Sequence, residues 1–180
     1  LCHIPLLPVT GTPTPGDYCS PFSHERESAA PGYYQVFLDR YGVDAQLSST
    51  LRCAFHKYTY PAGAAPAVLA DLQRSNEHVR AWDIRKEGDN VFAGWQQTGE
   101  KMYFYAVANR PVTGIEPVVE GDREVRIVRF GEGDGALELR IGFSFVSEKN
   151  ARENLEAEML GKSFAEVRSE ATATWNDLLG

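Results

Sequence analysis

PFSHERESAAPGYYQVFLDRYGVDAQLSSTLRCAFHKYTYP, residues 21–61, decides the fold. It opens with the charged loop Ser23, His24, Glu25, Arg26 and Glu27, turns at Pro31-Gly32, and continues as three strand-like runs broken by short turns. In the middle run Val43, Ala45, Leu47, Ser49, Leu51 and Cys53 hold one set of alternate positions, while Asp44, Gln46, Ser48, Thr50 and Arg52 hold the other. Successive side chains on a strand point to opposite faces, so this spacing predicts one face for a core and one for water. In the run before it both alternate sets are substantially apolar: Tyr34, Val36 and Leu38 in one, Tyr33 and Phe37 in the other. Gly32 to Asp39 therefore reads as a strand covered on both faces. The expectation is antiparallel sheet, one layer of a β-sandwich.

Working outward, residues 1–20 are rich in Pro, Thr and Gly and read as an extended opening segment with at most one short strand at Ile4–Leu7. Ala67–Leu72 is a short apolar strand, and Val79–Glu87 with Asn90–Gln97 surrounds Gly88-Asp89 as a hairpin. Lys101–Asn109 is apolar at both alternate sets and reads as a central strand, Ile115–Arg123 as a polar connection. Val125–Phe130 and Ala136–Val146 bracket Gly131–Gly135 and read as another hairpin, with Leu137, Leu139, Ile141, Phe143 and Phe145 lining one face. Two helices close the chain. Ser147 caps the first, about 148–160, whose Ala151, Leu155 and Met159 recur four apart, and Gly161 sits where a left-handed C-cap belongs. Ser163 and Glu166 form a capping box for the second, about 163–179, with Phe164, Val167, Ala171, Trp175 and Leu178 on its buried face.

A length of 180 residues suits one domain with a real core, and 43% hydrophobic with 24% charged residues argues against disorder. A net charge of −7 disfavours nucleic acid and anionic membranes as partners. No apolar run approaches the roughly 20 residues that span a bilayer, and no signal peptide is visible. The three cysteines, Cys2, Cys19 and Cys53, make neither a disulfide framework nor a metal motif. A Cys19–Cys53 bridge and buried free thiols both stay open.

Chemistry leaves fewer candidates. A glycosidase needs two carboxyl groups set several ångströms apart, and nothing singles out such a pair among the 25 acids. Glu25 and Glu27 beside His24 are the most suggestive; they either fix their loop through Arg26 or a neighbouring strand, or reach the rim of a pocket. The run Gly131 to Gly135 lacks the Lys-Ser/Thr of a phosphate loop, the four histidines lack zinc spacing, and no G-x-S-x-G elbow occurs. His56 reads as a satisfied structural histidine. Trp82, Trp95, Tyr103 and Tyr105 are available for sugar stacking, but their alternation is also what a core produces.

IPLLPVTG (4–11), PFSHE-x-E-x-A-x-PGYY (21–34), V-x-L-D-x-YGV-x-A-x-L-S-x-T (36–50), H-x-Y-T-Y-P (56–61), GFSFVSEKNARENLEAE (142–158) and the closing W-N-x-L at Trp175 come in one order along the chain. Together they resemble the N-terminal domain of the family 92 glycoside hydrolases, the α-mannosidases typified by α-1,2-mannosidase. The resemblance implies an antiparallel β-sandwich of the galactose-mutarotase-like kind, a supersandwich with two C-terminal helices. It also implies that this single domain is a fragment of a secreted, periplasmic or cell-surface enzyme, truncated at its N-terminal end. In that family the acid, the base and a calcium ion belong mainly to a following α-helical barrel domain, so no catalytic residue carries over onto this chain and no cofactor is expected to bind it.

The implied partners are that C-terminal catalytic domain and mannose-containing glycans. The candidate residues facing substrate or interface are His3, Ser23, His24, Glu25, Glu27 and Trp175. The Ser23–Glu27 loop and the Leu1–His3 end are expected to face the barrel, with Trp175 and Leu178 leaving an apolar patch exposed at the junction. Two other readings remain: an independent carbohydrate-binding module with an exposed row of aromatics, and a purely structural or interaction domain.

Overall fold

The computed structural model describes residues 3–179. Twelve strands precede two helices: β1 (Leu6–Val9), β2 (Glu27–Ala30), β3 (Tyr33–Leu38), β4 (Val43–Ser49), β5 (Cys53–Thr59), β6 (Ala67–Ala70), β7 (Ala81–Gly88), β8 (Val91–Gln97), β9 (Lys101–Ala108), β10 (Val112–Glu120), β11 (Arg123–Phe130) and β12 (Leu137–Ser144), then α1 (Glu148–Met159) and α2 (Phe164–Leu179). A large sheet runs in the order β2-β3-β4-β5-β12-β9-β8-β7 and a small one in the order β1-β6-β11-β10. Every pairing among the described residues is antiparallel. The protein is a β-sandwich with a third, helical layer.

Alternation builds both interfaces. Tyr58, Phe92, Phe104, Leu139 and Ile141 point from the large sheet toward Leu69, Val125 and Ile127 of the small one and form the main core. Residues between them, Tyr33, Cys53 and Phe55, point the other way and join Leu155, Met159, Phe164 and Val167 under the helices. Phe164 meets Phe55 edge-on at 5.3 Å. Close approach of α1 depends on Gly142, because an added Cβ there would overlap the Ala151 carbonyl. The caps form as the residue types dictate: Ser147 Oγ accepts from Asn150 N at 3.1 Å, and Glu166 Oε2 accepts from Ser163 N at 2.8 Å.

Several expectations are corrected. Residues 115–123 are not a connection; most of them belong to β10, which among the described residues pairs with β11 alone. Pro117 is tolerated there because an edge strand needs no second row of hydrogen bonds. The Gly131–Gly135 stretch is not a hairpin turn, since β11 lies in the small sheet and β12 in the large one. It crosses between them, and the buried Arg110 holds it by donating to the carbonyls of Asp134 and Gly135. The first strand begins at Leu6 rather than Ile4. The middle run ends at Ser49, where Leu51 occupies a turn and Cys53 opens β5. Its second face is not wholly wet either, for Ser48 is buried and donates to Gly32 O at 2.8 Å. Phe145 lies beyond the end of β12 and is exposed, and the buried side of α2 stops before Trp175.

Candidate functional site

One end of the large sheet gathers exposed apolar side chains. The turn from Ser49 to Arg52 closes with Thr50 N donating to Cys53 O at 2.9 Å. Glu158 of α1 fastens it: its carboxylate accepts from the Thr50 hydroxyl, from Arg52 N at 3.1 Å and from Arg52 Nε at 2.6 Å. Burial pushes that carboxyl up, but the hydrogen bonds from Thr50 and Arg52 prevail and hold it below the ordinary glutamate value. A charge-assisted anchor this dense leaves the tip, Leu51, 91% exposed.

Hollows flank the tip on both sides. One, of about 690 Å³, is lined by His3, Leu51, Met102, Phe143, Phe145 and Asn154. The other, of about 570 Å³, lies between the turn and α2 and is lined by Leu51, Ala157, Glu170, Trp175 and Leu178. Phe145, Val146, Leu160, Trp175 and Leu178 are all exposed. His3 is brought here by Ile4, a β-branched residue at φ 52° whose N–H donates to the buried Gln96 Oε1 at 2.9 Å. Left-handed backbone at such a residue is strained and persists only where its surroundings fix it. The His3 Nδ1 atom is buried without a hydrogen-bond partner among the described residues. Leu1 and Cys2, named with His3 in the sequence reading, lie outside the described residues.

The charged loop lies at the other end of the same strands. Asp39 N donates to Pro21 O at 3.1 Å and Arg40 N to Ser20 Oγ at 3.1 Å, beside the Leu38–Val43 end of the β3–β4 pair. The loop is a single turn of 3-10 helix, His24–Arg26, capped by Ser23 Oγ, which accepts from Glu25 N at 3.2 Å. Glu27 accepts from Tyr34 Oη at 2.6 Å and bonds His24 Nδ1 at 2.6 Å. The Tyr34 hydrogen bond, followed by that of His24, lowers the Glu27 carboxyl, while the same Glu27 bond pushes the Tyr34 phenol up to about 12. Arg26 lies 3.1 Å from the Phe37 ring centroid and 3.5 Å from Asp39 Oδ1. The structure thus brings His3 and Trp175 to one turn and does not bring Ser23, His24, Glu25 or Glu27 to it.

Cys19 is exposed and Cys53 buried, both as free thiols; burial first, then Glu158, pushes the Cys53 thiol up to about 12. His56 Nδ1 bonds Tyr58 Oη at 2.7 Å, and burial lowers its imidazole to about 4, as suits a structural histidine. Trp82, Trp95, Tyr103 and Tyr105 are all half-buried and form no exposed row: Lys101 Nζ lies 3.8 Å from the Trp95 centroid, the Arg152 guanidinium lies 5.8 Å from that of Tyr105, and Trp82 packs on the core with part of its ring lining a surface hollow. Among the described residues no group of three or more His, Cys, Asp or Glu could hold a metal ion. The sequence pattern does not mark Leu51 and Val146 as surface; the polar triple Ser48-Ser49-Thr50, which interrupts the alternation, is the one signal of the turn.

Comparison with known proteins agrees with the fold. The chain matches the model of the glycosyl hydrolase family 92 N-terminal domain over residues 1–156. It is 24% identical over 191 residues to an uncharacterized secreted glycosidase of Arthroderma benhamiae, covering 84% of this chain and 25% of that protein. A family GH92 α-mannosidase of Bacteroides thetaiotaomicron superposes with a TM-score of 0.88 at 24% identity, over 98% of this chain and 28% of that one. An inverting GH92 mannosidase of the same species gives 0.82 at 22%, over 97% and 26%. The chain therefore spans about a quarter of the length of these relatives. With the family model matching all but its last 24 residues (180 − 156), the chain belongs to glycosyl hydrolase family 92, as its N-terminal domain.

Proposed function

We propose that the chain is the non-catalytic domain of a secreted, exo-acting α-mannosidase, and that it supports and partly walls the active site of a following helical barrel domain. The observation that carries this reading is the apolar end around Leu51, where Phe145, Val146, Trp175 and Leu178 are exposed together. Concentrated exposure of this kind marks a surface meant to be covered. The covering body is the remainder of the enzyme, since relatives of the chain are about four times its length. Mannose-containing glycans are the substrate, α-1,2-linked ones first among them, and calcium is assigned to the barrel domain.

An independent carbohydrate-binding module is the weaker reading, because Trp82, Trp95, Tyr103 and Tyr105 are all half-buried and present no exposed aromatic row. The test is an assay of the purified chain and of the full-length enzyme on aryl mannoside and α-1,2-mannobiose with calcium. The proposal expects turnover only from the full-length enzyme; calcium-dependent turnover by the chain alone at a comparable rate overturns it. Leu51→Asp in the full-length enzyme is expected to weaken domain association and lower the temperature of inactivation.

A further inference from the structure

A different hollow, of about 620 Å³, opens at the β7 edge of the large sheet, between the loop that follows β6 and the turn from β10 to β11. Gln73, Glu77, His78 and Arg80 line it from the loop, Trp82 from β7 and Asp122 from the turn. Its frame is rigid. Asp71, 1% exposed at the start of the loop, accepts from Tyr18 Oη at 2.6 Å and from Arg123 at 2.8 Å. The buried Gln96 amide donates to Leu72 O and Arg74 O, both at 2.9 Å, and Arg80 N donates to Gln97 O at 2.8 Å at the loop's far end.

The side chains facing into that frame are unused. Among the described residues Glu77, His78, Arg80 and Asp122 have no side-chain hydrogen bond or ion pair, although most other arginines of this chain do. Gln73 Oε1 accepts from Glu124 N at 2.8 Å, and its two amide N–H donors have no partner among the described residues. Trp82 supplies the apolar part of the wall, packed on the core and with the Arg126 guanidinium 5.2 Å from its ring centroid.

Charges of both signs in one hollow suit neither a simple cation nor a simple anion. A ligand that satisfies all of them is uncharged and carries adjacent hydroxyls, which donate to carboxylates and accept from a guanidinium and an amide. It also has an apolar C–H face for the indole. We propose that this hollow holds one pyranose unit of a neutral oligosaccharide, with Trp82 against the sugar's C–H face and Glu77, Arg80 and Asp122 bonding its hydroxyls. The choice of a mannose-containing probe rests on the α-mannosidase reading; the hollow itself does not. Since Ala81 pairs with Gln97 and Gln97 with Lys101, the hollow lies toward the same end of the large sheet as Leu51.

The experiment titrates the 180-residue chain with α-1,2-mannobiose and, separately, with cellobiose, by calorimetry and tryptophan fluorescence. Saturable, weak binding is expected, reduced about tenfold by Trp82→Ala, the loss of one aromatic stack. Arg80→Gln and Asp122→Asn, at exposed positions, are expected to weaken binding severalfold without changing the melting temperature, so the test does not depend on the fold tolerating Trp82→Ala. Trp175→Ala is expected to leave binding unchanged. Binding of cellobiose alone, with the same sensitivities, sustains the hollow and contradicts the mannoside reading. No saturable binding of either sugar, or binding indifferent to both Arg80→Gln and Asp122→Asn, overturns the proposal.

Discussion

The turns at opposite ends of the β3–β4–β5 sheet segment look alike in chemistry and differ in what they offer. The Ser23–Glu27 loop carries the most charge in its neighbourhood, yet Tyr34, Phe37 and Asp39 hold its Glu27 and Arg26 against the domain itself. The Ser49–Arg52 turn is anchored just as firmly by Glu158, but its tip is a bare leucine between two hollows. Charge in a loop is thus a poor guide to a partner when the domain supplies the counter-groups. An exposed apolar tip on a rigid anchor is a better one, because nothing within the described residues covers it.

Phe55 and Leu51 are apolar neighbours in sequence with opposite burial, and the largest effect is expected at Phe55. It is wholly buried under α2, so Phe55→Ala is expected to cost about 3–5 kcal/mol in denaturant unfolding. Leu51, four residues earlier, is expected to change stability by less than about 0.5 kcal/mol on Leu51→Ala. Equal losses at the two positions would erase the distinction.

Glu158→Gln comes next, at about 1–2 kcal/mol for hydrogen bonds to a charged group, discounted for the exposure of Arg52. Its pH signature has a definite sign. The folded carboxyl is lowered, so its stabilisation is full above the ordinary glutamate range and is lost as pH falls through the folded value. His56 adds an earlier limb: its folded imidazole is lowered to about 4, so stability begins to fall below about pH 6.5 as the unfolded state takes up the proton. Stability curves of Glu158→Gln and His56→Gln against pH should each lack the corresponding limb.

Tyr34→Phe is a smaller perturbation, which removes one hydrogen bond to Glu27. Faster amide exchange confined to residues 24–27, with a slight drop in melting temperature, is the expected result. A global loss of protection would mean that the loop holds up more of the domain than its contacts indicate.

Residue patterns reveal local structure here better than they reveal neighbours. Leu137, Leu139 and Ile141 alternate into the core as expected, and the Ser147 and Ser163–Glu166 caps sit where side-chain chemistry places them. The hairpin expected across Gly131–Gly135 fails because the same turn residues serve a hairpin and a crossing between sheets; only Arg110, distant in spacing, reveals which. β10 escapes notice because an edge strand with Thr113, Glu116 and Pro117 satisfies water on one side and needs no alternation. Leu51 is misplaced for the opposite reason, since its spacing continues the core set of β4 past the point where the chain turns. Of the candidate residues, His3 was grouped with the charged loop, and the fold instead sets it across the Leu51 turn from Trp175, a neighbourhood that no spacing in the sequence encodes.

Hydroxyl-radical footprinting of the chain alone and of the full-length enzyme reads whether the Leu51 end of the domain is covered. Leu51, Phe145 and Trp175 are expected to be labelled heavily in the chain alone and strongly protected in the enzyme, while Phe22, 47% exposed beside the charged loop, is labelled alike in both. Leu51 and Trp175 labelled as heavily in the enzyme as in the chain, or Phe22 protected in their place, would contradict the account.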